Sequence, residues 1–124
     1  LMLRLGQWAS AEQLWSAAFF QNPKSAAAAT WLGLLREKAG DADGARGFYA
    51  AAVAANPQAE SAWANWGILE GRASRWIESE RLLRRVVELR PEGAKGWYDL
   101  SICLERQGRT EEAAEAAARA TALW

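Results

Sequence analysis

The stretch AAVAANP, residues 51–57, has a counterpart 34 residues to either side: AAFFQNP at 17–23 and RVVELRP at 85–91. Each ends in one of the chain's three prolines, Pro23, Pro57 and Pro91. A fixed period of this size marks a repeat architecture, in which each unit buries its apolar face against a neighbour. About half a period before each proline lies a second punctuation: RLGQW, EKAGD and GRASRW, with a fourth, RQGRT, after the last proline. Each repeat therefore reads as helix, short turn, helix, proline-marked turn. Proline suits the second turn because it lacks an N–H and restricts the residue before it. Gly40 and Gly108 suit the first turn because glycine accepts the left-handed conformation that closes a helix. Asp41, Ser74 and Thr110 stand near helix starts, where a side-chain oxygen can cap free N–H groups.

The punctuation predicts helices over 8–21, 25–39, 42–55, 59–72, 75–89, 93–107 and 110–123, with residues 1–5 closing an earlier helix. Alanine-rich segments such as EEAAEAAARATA favour helix strongly. The period-two alternation of a strand is absent. Connections this short force consecutive helices antiparallel, so the expected class is all-α, a stack of helical hairpins.

Composition removes several function classes. Fifteen basic residues balance fifteen acidic ones, so the chain has no general electrostatic pull on nucleic acid or an anionic membrane. There is no histidine and one cysteine, Cys103. An internal disulfide cannot form, the usual zinc sites cannot form, and the commonest general base is missing. No apolar run has the length of a membrane span, and no signal peptide is visible. No spacing suggests a nucleophile–base pair, a phosphate-cradling loop or a metal cluster. The expectation is a non-catalytic protein with no cofactor, no small-molecule substrate and no membrane insertion. It is expected to be soluble, in a reducing compartment such as the cytoplasm or an organelle interior.

A 34-residue helix–turn–helix closed by proline resembles the tetratricopeptide repeat, whose signature is W-x2-L-G-x2-Y, then A-x3-F, then P. The first phrase is carried by Trp63, Trp66, Gly67 and Glu70, by Trp97, Leu100, Ser101 and Leu104, and more weakly by Ala29, Leu32, Gly33 and Arg36. The second is carried by Ala11 and Trp15, Ala45 and Tyr49, Ser79 and Leu83, and Ala113 and Ala117. On this frame the repeats span 1–25 (partial), 26–59, 60–93 and 94–124. The resemblance implies a right-handed α-solenoid of antiparallel helix pairs with a 34-residue period. Arg36, Glu70 and Leu104 depart from the family's tyrosine. WANWGILE, 63–70, and the Ala45–Arg46 step look like the half-a-TPR (HAT) variant, whose members include RNA-processing scaffolds and RNA binders.

The small residues Gly33, Gly67 and Ser101, facing Ala11, Ala45, Ser79 and Ala113, suit close helix approach. Trp15, Trp63, Trp66 and Trp97 are expected to fill the core, and Trp8 and Trp76, two repeats apart, to pack on the preceding helix. Trp31 lies off the core stripe. The resemblance implies that first helices line a concave face where partner segments lie. Trp31, Leu34, Asn65, Ile68, Tyr98 and Ile102 would line it, as a strip suited to an apolar or amphipathic peptide. The lysine–asparagine–arginine clamp that some family members use for C-terminal carboxylates is not reproduced. Arg72, Arg75, Arg84 and Arg85 form a candidate patch for an acidic partner or RNA, although interleaved glutamates at helical spacing favour a self-paired face.

The apolar ends, LMLRL and Leu123–Trp124, are where a capping helix would be polar. The expectation is a slice of a longer solenoid, or ends that dock on other subunits. The function expected is a protein–protein interaction module, a scaffold or assembly subunit within a larger complex. The alternative is a HAT-type RNA-binding or RNA-maturation factor, perhaps organellar.

Overall fold

The computed structural model describes residues 5–124, with side chains from Ser10 onward. Among these residues there are seven helices and no strand: α1 Leu5–Gln21, α2 Ala26–Lys38, α3 Ala42–Ala55, α4 Glu60–Arg72, α5 Trp76–Leu89, α6 Ala94–Arg106 and α7 Thr110–Leu123. Six of them fall within one residue of the expected bounds. The exception is α1, which from Leu5 onward takes in LGQW, where the sequence suggested a turn. A glycine inside a helix costs about 1 kcal/mol relative to alanine, and the remaining turns of this 17-residue helix offset it. The expected stub of an earlier helix falls, apart from Leu5, outside the described residues, as does the Trp8 side chain.

Capping follows the sequence in part. The Asp41 carboxylate accepts the Gly44 N–H at 2.9 Å and starts α3. Ser25, expected inside α2, instead caps it, accepting the Ala28 N–H at 3.1 Å. Gly40 and Gly108 take φ of +80° and +76°, as the turn requires. Ser74 does not cap α5. It takes the glycine's place in the turn at φ +58°, and Arg75 precedes α5 with no side-chain cap. Thr110 is the first residue of α7, one position too late to cap it, and its hydroxyl donates back to the Gly108 carbonyl at 3.3 Å.

The chain forms two compact units, one ending at Ala62 and one spanning Trp63–Trp124. In the first, α2 packs against both α1 and α3. A Cβ added to Gly33 would lie 2.7 Å from Tyr49 Cδ1, so only glycine allows α2 to close over the ring. Tyr49 is fully buried, and its hydroxyl donates to the Glu37 carboxylate. Phe19 meets Phe48 edge to face at 5.8 Å, and Arg36 ties α2 to Glu12 of α1 at 2.6 Å. The residue that departs from the family's tyrosine thus makes an ion pair between helices.

In the second unit α5 packs on α6 and α6 on α7. Gly67 of α4 repeats the close approach. Its Cβ would sit 2.9 Å from Leu83 Cδ2, and its carbonyl accepts the Ser79 hydroxyl at 2.7 Å. The core is Leu83, Val86, Val87, Leu100, Cys103, Leu104, Ala113 and Ala116.

The tryptophans are not the centre of that core. The largest fully buried side chains are Tyr49 and four leucines, Leu32, Leu82, Leu100 and Leu104. Trp63, Trp76 and Trp97 are half-buried and lie against the core from outside. Alanines at the helix contacts bring the backbones close, so leucine-sized groups suffice inside and an indole fits only at the flank. Each flanking ring carries a guanidinium: Arg85 over Trp63 at 5.5 Å, Arg81 over Trp66 at 5.9 Å, Arg106 over Trp76 at 5.7 Å and Arg119 over Trp97 at 4.7 Å. Such stacks contribute about 0.5–1 kcal/mol each at exposed sites.

Candidate interaction surfaces

The six first-helix residues fall on α2, α4 and α6, the first helices of the three repeats. In the first unit Trp31 is 49% exposed and Leu34 half-buried. Trp31 stacks on Trp15 of α1, with centroids 5.7 Å apart and planes 14° from parallel. This partner was not foreseen, because Trp15 reads as core on the repeat frame. In the second unit Asn65, Ile68 and Ile102 are half-buried and Tyr98 is 51% exposed. Beside Tyr98, Asp99 is held by Lys95 at 2.8 Å. Each unit thus presents one large aromatic side chain, half in solvent, on a first helix.

The arginine patch is met by the chain's own carboxylates. Arg75 reaches Glu70 at 3.1 Å. Arg84 pairs with Glu80 at 2.8 Å and Glu112 at 3.4 Å. Arg85 pairs with Glu88 at 2.7 Å while lying over Trp63. Glu70, at the family's tyrosine position, is fully buried.

Glu80 organises a network that the sequence does not display. Its carboxylate accepts from Arg84 at 2.8 Å, from Arg109 at 2.6 Å and from Gln107 at 2.9 Å. Glu12 and Glu80 stand two periods apart, and Glu12 pairs with Arg36 of the next first helix. Leucine at 104 offers Glu80 no such partner, and residues of the following turn take its place. Burial pushes the Glu80 carboxyl up, but hydrogen bonds from Gln107 and Arg84 and the charges of Arg84 and Arg109 outweigh it and leave the group below its ordinary value. A depressed carboxyl stabilises the fold above its unfolded pKa, near 4.3, and loses that contribution as pH falls through the lowered folded value. Stability is therefore expected to fall below about pH 4.3, and less steeply in Glu80→Gln. Urea midpoints measured from pH 7 to 3 check this, and equal slopes for the two proteins would refute it.

Cys103 is buried, and its thiol donates to the Trp76 carbonyl at 2.9 Å. Burial pushes the thiol's pKa up, away from the reactive thiolate. No group of metal-ligating side chains occurs among the described residues. Open concavities occur on both units among the described residues. One, about 640 Å³, lies at the α4–α5 turn by Trp76, Ile77 and Arg106. Another, about 420 Å³, is apolar and lined by Phe19, Phe20, Pro23, Leu32 and Phe48. Neither was visible in the sequence, since each gathers residues from separate helices.

A tetratricopeptide repeat model matches residues 2–60 and 65–124. The chain belongs to the tetratricopeptide repeat family. Its fold agrees. A crystal structure of MamA superposes with a TM-score of 0.87 at 16% identity, over 96% of this chain and 70% of that one. A second MamA crystal structure gives 0.85 at 16% identity, over 96% and 65%. A MamA structure designated MSR-1 gives 0.78 at 23%, over 95% and 68%. This tetratricopeptide chain thus spans about two-thirds of the length of those structures, and at such identities the likeness is one of fold. No curated protein matches it significantly. Tetratricopeptide membership supports a protein–protein interaction or scaffold module. No helix among the described residues is long and apolar enough to cross a membrane.

Proposed function

We propose that this chain is a scaffold or assembly module whose units each hold protein segments against their first helices, one through Trp31 and Leu34, the other through Asn65, Ile68, Tyr98 and Ile102. The observation that carries the reading is the half-exposure of Trp31 and Tyr98, 49% and 51%, on first helices whose opposite faces are buried. Aromatic side chains with few rotamers and large apolar area are the usual anchors of a protein interface. The internal pairing of Arg75, Arg84 and Arg85 weighs against a phosphate-binding surface, because a phosphate would have to displace carboxylates already in place.

The test compares capture of partner protein by wild type, Trp31→Ala, Tyr98→Ala and the double variant Arg84→Glu/Arg85→Glu, each with a native circular dichroism spectrum. Loss of an anchoring aromatic costs about 2 kcal/mol or more. Capture is therefore expected to fall at least about tenfold in one or both aromatic variants, and to change little in the double-glutamate variant. The reverse pattern, with RNA in the captured material, would favour the HAT-type alternative.

A further inference from the structure

Helix α5 opens with two large apolar side chains, Trp76 and Ile77, where the other second helices of the described repeats do not. One period away, Trp76 corresponds to Ala42 and Thr110, and Ile77 to Asp43 and Glu111. An acid suits the first turn of a helix, because it faces the positive end of the helix dipole. Ile77 forgoes that gain and is 79% exposed. With the half-buried Trp76 it supplies the apolar part of the concavity of about 640 Å³ at the α4–α5 turn. Ligand sites typically measure about 300–1,000 Å³.

The charged part comes from Arg75, Glu78 and Arg106, which line the same concavity. Two of these are compensated. Arg75 pairs with the buried Glu70 at 3.1 Å, and Glu78 pairs with Arg81 at 2.5 Å. Arg106, in the last turn of α6, is exposed and lies over the Trp76 ring at 5.7 Å. It forms no ion pair among the described residues. The concavity thus holds one uncompensated positive charge against its apolar lining.

We infer that this concavity binds a partner protein segment in which a carboxylate side chain stands next to a bulky aliphatic one. The carboxylate meets Arg106, since a guanidinium held over an indole still offers N–H donors at its edge, where a carboxylate can accept two of them. The aliphatic group covers Ile77. A nucleic acid is a poorer match. Its binding draws on several phosphate contacts, whereas one cation is uncompensated here and Arg106 already lies over the Trp76 ring. This contact is additional to the one proposed at Trp31 and Tyr98 and does not rest on it.

The probe is the peptide GSGLDLGSG, blocked at both ends and titrated into the ¹⁵N-labelled protein. Saturable shifts of the Trp76 indole N–H and the Ile77 amide are expected in NMR spectra. Affinity should fall at least about tenfold in Ile77→Asp, since covering an isoleucine contributes that factor. This variant places at 77 the residue type that starts α3 and α7, so its fold is retained. Arg106→Gln should weaken binding about fivefold, the upper end for an exposed ion pair. The peptide GSGLNLGSG should show the same loss with wild type, and no further loss with Arg106→Gln. Trp31→Ala should bind as wild type does. Absence of saturable shifts at about 5 mM peptide, equal affinity for the two peptides, or unchanged binding by Ile77→Asp or Arg106→Gln overturns the inference. So does a response of the same signals to a uridine hexamer alone, which would assign the site to nucleic acid.

Discussion

Tyr49→Ala is expected to lose about 3–5 kcal/mol of stability, the loss typical of a fully enclosed aromatic side chain cut to a methyl group. Tyr49 is the largest fully buried side chain among the described residues. It fills the space that Gly33 leaves open between α2 and α3, and its hydroxyl ties the same two helices through Glu37. Several buried residues of the same unit are alanines, Ala28, Ala29, Ala45 and Ala52 among them, and a methyl side chain is too short to refill the space. For a cooperative unit of this size each kcal/mol shifts the melting temperature by about 4–8 °C, so a fall of more than about 12 °C is expected. Tyr49→Phe separates ring from hydroxyl. It keeps the packing and loses one hydrogen bond, for about 0.5–1.5 kcal/mol. Urea denaturation of the three proteins measures both terms. An alanine variant within about 1 kcal/mol of wild type would mean that the ring is not what joins α2 to α3.

The second large effect is one of sign. Replacing glycine by alanine inside a helix ordinarily stabilises it by about 0.5–1 kcal/mol. At Gly47, on the exposed side of α3 with nothing within 4 Å of the added Cβ, that gain is expected. At Gly33 the same methyl group would press into the Tyr49 ring, 2.7 Å from Cδ1, and the ring is fully buried with no room to turn aside. Overpacking of this kind costs about 1–3 kcal/mol. With a rigid ring as the obstacle, the cost exceeds the helix gain and Gly33→Ala destabilises. Denaturation midpoints should move in opposite directions for Gly33→Ala and Gly47→Ala. A shift in the same direction would remove close approach at Gly33 as the reason for its glycine.

The helix bounds were legible because three prolines and the turn glycines lie on one period, and each acts locally through its own backbone restrictions. Gly33 and Gly67 were legible for a related reason: a small residue opposite a large one on paired helices means close approach. The burial of the tryptophans was not legible. Position on the repeat frame says which way a side chain points, but the space available depends on the volumes of all its neighbours, and alanine-lined contacts leave the indoles at the flank. The arginines over Trp63, Trp66, Trp76 and Trp97 escaped notice because local spacing suggests ion pairs, while stacking depends on the facing helix. Glu80 escaped because Gln107 and Arg109 stand 27 and 29 residues away. Of the six first-helix residues, the sequence placed each on its helix. It did not indicate that Trp31 leans on Trp15, since Trp15 shares the core register of Tyr49 and Leu83.

The proposed interface is made by apolar side chains on first helices, with Arg75, Arg84 and Arg85 occupied internally. The most direct measurement is the affinity for a captured partner as a function of salt. An interface of this kind is expected to hold its dissociation constant within about threefold between 50 and 200 mM salt, because few ions are released and apolar burial is not screened. A fall in affinity of about a thousandfold over the same range, the mark of several phosphate contacts, would contradict it.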